Sequence, residues 1–268
     1  MAAALQGYWR DMTTETLSGA DGERTILVLP VAAIEQHGPH LPVSVDADIN
    51  EGLIAAALTA LPKELSVLFL PQQTVGWSDE HGAYPGTLSI GPETLAQAWC
   101  DIAEGVIAAG FRKLVLFNSH GGQTEIIRIV ARKLRLAHDV LAVPVSWFSL
   151  VDLSDLFDAD ELAHGIHAGA VETSIMLHLQ PDAVHMDRAA RFESSGVEMS
   201  KTFRRLKPTG SAPFGWATQD LHVSGAVGDP TAATAEKGRV IVERTVQGII
   251  DLFADIDAFD LARLKPTP

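Results

Sequence analysis

Glu35-Gln36-His37-Gly38-Pro39-His40, followed closely by Asp46, sets two carboxylates and an imidazole beside one another in a short stretch of chain. Hard and borderline divalent metals take carboxylate oxygen and imidazole nitrogen, and a carboxylate can bridge two ions. In extended backbone alternate side chains share a face, so Glu35 and His37 are expected to point at one spot. The plainer alternative is a pair of loop residues bonded to backbone.

Asn118-Ser119-His120-Gly121-Gly122-Gln123 adds a further imidazole. A strand, a histidine, paired glycines and then a helix require a tight turn and a close backbone approach. A phosphate cradle at the helix N-terminus is the lesser reading, because neither the P-loop lysine pattern nor G-x-G-x-x-G is present. A third cluster runs His164-Gly165-Ile166-His167-Ala168-Gly169-Ala170-Val171-Glu172-Thr173-Ser174. His167 and Glu172 fall near the start of an apolar helix, among small residues that leave room for a substrate. Helix capping is the ordinary role for Glu172.

The stretch from Gly76 to Thr87 offers Ser78 and His81 as substrate-binding hydrogen-bonding groups on a mobile loop, with Trp77 and Tyr84 as apolar walls. A loop packed on its own aromatics competes with that reading. His138, His178, His185 and His222 follow no ligand pattern and read as surface or core histidines; His40 and His164 lie near the clusters without an assigned task. No G-x-S-x-G elbow occurs, which removes the usual serine-hydrolase arrangement.

The elements that would position these residues alternate along the chain. Ile26–Val31 reads as a buried strand, followed by a helix carrying Ile49, Leu53, Ile54, Ala57 and Leu61, with Asp46 or Asp48 to cap it. Val67–Leu70, Lys113–Phe117 and Val140–Val145 read as further strands. Helices are expected from Pro92 to Gly110, over Gly121–Ala137, and from Asp229-Pro230 through Phe253. Such alternation implies an α/β fold with a mostly parallel sheet covered on both faces. Every suspicious residue before position 121 then falls in a loop leaving the carboxyl end of a strand, where ligand sites of open α/β sheets gather. Residues 187–227 are less regular, a lid, an oligomer contact or surface loop.

The 268 residues, 47% hydrophobic, suffice for one domain over 1–268 with a full core. A formal charge of −14 argues against nucleic acid or an anionic membrane as partner. The single cysteine, Cys100, fits a reducing compartment. No secretory leader or spanning segment is read, so a soluble cytoplasmic protein is expected.

Taken in order, these motifs resemble the creatininase family (creatinine amidohydrolase-like proteins) over nearly the whole chain. The resemblance rests on Glu35-Gln36-His37-Gly38-Pro39-His40-Leu41-Pro42 with Asp46, Ser78 with Glu80-His81 and Pro85-Gly86-Thr87, and Asn118 to Gln123. His167-Ala168-Gly169 with Glu172-Thr173-Ser174, and Gly228-Asp229-Pro230 with Ala235-Glu236-Lys237-Gly238, complete it.

The resemblance implies a three-layer α/β/α fold, a homo-oligomer (a hexamer in the family), and one or two divalent ions per subunit, zinc, manganese or iron. By resemblance Glu35 and His120 hold one ion, His37 the other, Asp46 bridges them, and His167 shuttles protons. Creatininase has a glutamate ligand at the position of Gly122; its loss here leaves Glu172 as the expected replacement. Its creatinine-binding aromatic and acidic residues correspond to Ala163 and His164, which weakens the case for creatinine itself. The expected function is a metal-dependent amidohydrolase that opens a C–N bond of a small molecule other than creatinine by metal-activated water. The alternative is a hydrolase or isomerase acting on a cyclic ketone, lactone or sugar-like substrate. A metal-dependent binding protein without turnover is the least favoured reading.

Overall fold

The computed structural model describes residues 4–265. Five strands, β1 (Gln6–Tyr8), β2 (Ile26–Val31), β3 (Val67–Phe69), β4 (Lys113–Asn118) and β5 (Leu141–Ser146), form one sheet in the order β1-β3-β2-β4-β5. All neighbouring pairs are parallel. The helices are α1 (Thr14–Ser18), α2 (Val45–Ala60), α3 (Pro92–Ala108), α4 (Thr124–Ala137), α5 (Ala159–His164), α6 (Ala170–Leu179), α7 (Ser195–Thr202), α8 (Thr218–Leu221) and α9 (Ala235–Ala258).

β2 is buried at every residue, because both of its faces are covered. Ile26 and Val28 enter a core shared with α2, α6 and α9, whereas Leu27, Leu29 and Val31 enter one shared with α3 and α4. Successive side chains of a strand point to opposite faces, so this split yields helix–sheet–helix layering, as expected from the sequence. β2 lies between β3 and β4, so the loops leaving these three strands open at one sheet edge. At that edge Val31 is paired with Asn118, and Asn118 with Ser146.

Three local expectations change. The edge strand β1 was not expected; three half-buried residues around Gly7 carry no periodicity to announce it. Asp46 does not cap α2 but lies inside its first turn, after Ser44. Asp229 caps a short 3-10 turn at Pro230–Ala232, and α9 starts later, capped by the Thr234 hydroxyl on Lys237 N. Of the stripe expected from spacing, Val242, Val246, Ile249 and Phe253 are buried, whereas Ile250 is only half-buried. Within 187–227 the chain forms α7 and α8 among turns.

Candidate metal centre

Local bonding fixes each side chain of the site before any ligand is considered. Beyond β2, an isolated bridge from Ile34 to Leu88 and a bond from Glu35 N to Val43 O pin the segment that carries Glu35 and His37. Gly38 then turns back with φ +68, where an added Cβ would lie 2.6 Å from Ala226 Cβ. His37 Nδ1 is 3.0 Å from Glu35 O, which leaves Nε2 to face inward. At the end of β4, Asn118 Nδ2 donates to His120 O and to Ser146 Oγ, while its Oδ1 accepts from His120 N at 3.1 Å. That bracket fixes the turn carrying the His120 ring. His167 precedes Ala168, a non-glycine residue at φ +56 whose N–H donates to Glu172 Oε2 at 2.5 Å. The strained residue thereby ties His167 to the first turn of α6.

These side chains converge. Asp46 Oδ2 lies 3.3 Å and Glu35 Oε2 3.2 Å from His120 Nδ1. Asp46 Oδ1 lies 3.8 Å from His37 Nε2, which is 3.9 Å from Glu172 Oε2 and 4.0 Å from Glu35 Oε1. His167 Nδ1 is 3.5 Å from Glu35 Oε1, and its ring lies 4.1 Å from that of His37. Glu35, His37, Asp46, His120 and His167 are buried; Glu172 is partly so. All five expected ligands and the expected proton shuttle therefore gather in one place.

Ser78 and His81 are held differently from a mobile recognition loop. Both are buried: Ser78 Oγ faces His120 Nε2 at 3.3 Å, and His81 Nε2 faces Glu35 Oε1 at 3.4 Å. Gln36 Nε2 donates to His81 Nδ1 at 2.7 Å and to Gly225 O at 2.7 Å. His81 lines the cavity above the cage, whereas Ser78 does not. The acid that the sequence reading gave no task is Glu80, with Oε1 3.4 Å from His120 Nε2. His40 lies outside the cage, bonded to Thr173 Oγ1 and stacked on Phe192.

A metal fits these donors. Glu35 Oε2, His37 Nε2 and Asp46 Oδ2 are buried and have no hydrogen-bond partner among the described residues, a costly state unless something else satisfies them. Ligand atoms of His37, Asp46 and Glu172 lie within 4.8 Å of one another, and so do those of Glu35, Glu80 and His120 and of Glu35, His37 and His167. Oxygen and imidazole donors of this kind suit zinc, manganese or iron.

The electrostatics agree with this reading. Burial, and next the Glu35 charge, push the Asp46 carboxyl up to about 6. Burial, and next Asp46, push Glu172 up to about 8. Burial alone would lower His120, but the Glu35 charge and the carboxylates crowded beside its ring raise it well above the usual range. Without an ion, Glu172 holds a proton at neutral pH. Burial lowers His167 to about 4 and holds His37 well below the usual imidazole range, so both imidazoles are neutral.

The cage opens into a cavity of about 630 Å³. Trp147, Phe148, Val151, Leu153, Leu162, Val171 and Trp216 give it apolar walls, and among the described residues neither lysine nor arginine lines it. Among the described residues, no helix is long and apolar enough to cross a membrane.

A parallel α/β sheet with an acid–imidazole cage at its carboxyl edge defines the class of metal-dependent hydrolases to which the comparisons point. The family described as Creatininase: Creatinine amidohydrolase matches residues 10–253, and the chain belongs to the creatininase family. It is 31% identical over 229 residues to the mycofactocin precursor peptide peptidase of Mycolicibacterium smegmatis, covering 84% of this chain and 83% of that one. It is 29% identical over 259 residues to the creatinine amidohydrolase of Pseudomonas putida, covering 91% of this chain and 92% of the relative. Among solved structures it resembles a glutamate-to-glutamine mutant of creatininase of zinc–zinc type, with a TM-score of 0.74 and 27% identity over 92% of this chain and 97% of the other.

Proposed function

We propose that this protein hydrolyses a C–N amide bond of a small molecule, with Glu35, His37, Asp46, His120 and Glu172 as ligands of one or two divalent ions. A divalent ion held there supplies Lewis acidity, polarising a carbonyl and lowering the pKa of water from about 15.7 to about 7. Asp46 is suited to bridging, since its two oxygens face different histidines.

His167 carries the proton. The single observation behind the reading is its placement: Nδ1 lies 3.5 Å from Glu35 Oε1, at the edge of the cage. Its Nε2–H donates to the Gln36 carbonyl at 2.6 Å, which leaves Nδ1 unprotonated. A neutral imidazole of low basicity takes a proton from the attacking water at Nδ1 and releases it to the leaving nitrogen. His81, its Nδ1 accepting from Gln36, presents Nε2–H toward Glu35 and toward a carbonyl lodged above it. Ser78 orients His120 and does not reach substrate.

The walls favour an amide with an apolar body. Aromatic groups come from Trp147, Phe148 and Trp216, not from Ala163 or His164, so the cavity is built unlike a creatinine site read by those positions. Its size, with the likeness to a peptide peptidase, supports a second reading in which the scissile amide is a peptide bond. A screen of the zinc- or manganese-loaded enzyme against small amides, short peptides, cyclic ketones and lactones tests both. Metal-dependent turnover of amides is expected; turnover confined to ketones or lactones overturns the proposal. Assembly into a homo-oligomer is part of the same proposal and is read by light scattering.

A further inference from the structure

Gly122 has no side chain because another residue uses its space. An added Cβ there would lie 2.6 Å from His120 Nε2 and 2.9 Å from Glu80 Cδ, with Glu80 Oε1 closer still. Glu80 reaches this position from the loop after β3, whereas Gly122 belongs to the turn after β4. Its carboxylate is only 15% exposed, and its Oε1 meets His120 Nε2 at 3.4 Å.

The two nitrogens of His120 face different surroundings. Nδ1 looks toward Glu35 and Asp46, at 3.2 and 3.3 Å. Nε2 looks the other way, onto Trp77 O at 2.9 Å, Ser78 Oγ and Glu80. An ion on Nδ1 cannot also be reached through the opposite side of the ring. The Trp77 carbonyl takes the Nε2–H and fixes the tautomer, and the Glu80 charge behind it makes the ligating nitrogen more basic.

We propose that Glu80 is a positioning residue that holds His120 from behind and strengthens its grip on an ion, and that Gly122 is required because its missing side chain admits the Glu80 carboxylate. The inference rests on the cage being a metal centre.

Zinc affinity and stoichiometry, measured by chelator competition on the full chain, test it without recourse to turnover. Glu80→Ala and Gly122→Ala should each weaken zinc binding about 10- to 100-fold. Combined, they should cost no more than either alone, because both remove the same contact. Glu80→Gln, which adds no bulk and keeps an acceptor oxygen, should lose less than Glu80→Ala and guards against misfolding in the glycine variant. Wild-type affinity in both Glu80 variants overturns the inference, as do multiplying effects in the double variant. Loss of one whole equivalent of zinc also overturns it, since Glu80 would then be a ligand. Absence of zinc from the wild-type protein would instead sink the metal reading itself.

Discussion

Asp46 Oδ2 lies 3.3 Å from His120 Nδ1, although one residue stands in the first turn of α2 and the other at the end of β4. The other Asp46 oxygen faces His37. A carboxylate divided between two histidines, with one oxygen buried and unbonded, is arranged for cations and is poorly explained by packing.

Loading the cage should release protons. Glu172, pushed up to about 8 mainly by burial, holds its proton at pH 7 in the metal-free protein, and the raised His120 holds one too. An ion displaces both, so apparent affinity should climb as pH rises from 6 to about 8. Calorimetry at pH 7 in buffers of different protonation enthalpy reads this directly. Binding heats independent of the buffer would contradict it.

Replacing His167 by alanine should separate catalysis from metal holding. Turnover is expected to fall about 10²- to 10⁴-fold, the usual worth of general acid–base catalysis, while metal content stays at the wild-type level. This ring also lies within ligand reach of Glu35 and His37. Metal lost on mutation would make His167 a ligand and reassign the proton transfer.

Glu161 should lock the segment that carries His167. Its Oε1 accepts from Ala170 N at 2.6 Å and its Oε2 from Asp229 N at 2.8 Å. Added Cβ atoms at Gly169 and Gly228 would come within 2.5 and 2.8 Å of Oε1. Glu161→Gln places an amide N–H₂ against one of those backbone donors. The expected cost is about 1–3 kcal/mol, seen as a Tm lower by several degrees together with reduced turnover. An unchanged Tm would remove this role.

The parts of the site readable in the sequence were those where a buried strand runs directly into chemically distinctive residues. Glu35 and His37 beyond β2, and His120 beyond β4, declare both their identity and their place at the sheet edge. Glu172 was legible chiefly through family resemblance, since an acid in the first turn of a helix ordinarily caps it. The role of Glu80 was not legible, although the residue belongs to a motif of the resemblance. One acid beside Asp79 in a loop carries no local signal, and its meaning comes from the empty space at Gly122 on another loop. Similarly, Asp229-Pro230 is a sound local start signal for a helix, yet extended backbone at Ala233 and Thr234 interrupts it, and α9 begins after that.

Packing of α9 on α6 depends on Gly238. A Cβ there would press on the Ser174 carbonyl and lie 2.9 Å from His178 Cβ. Gly238→Ala should force the two helices apart at a cost of about 1–3 kcal/mol, with metal affinity reduced less than stability. Thermal unfolding of the loaded protein checks this, and a stabilised variant would show that the contact yields.

Anomalous diffraction from a zinc-loaded crystal tests the central claim most directly. The account predicts a peak bounded by Glu35, Asp46 and His120, and, where a second ion binds, another bounded by His37, Asp46 and Glu172. Zinc bound to the protein with no anomalous density among these side chains would contradict it.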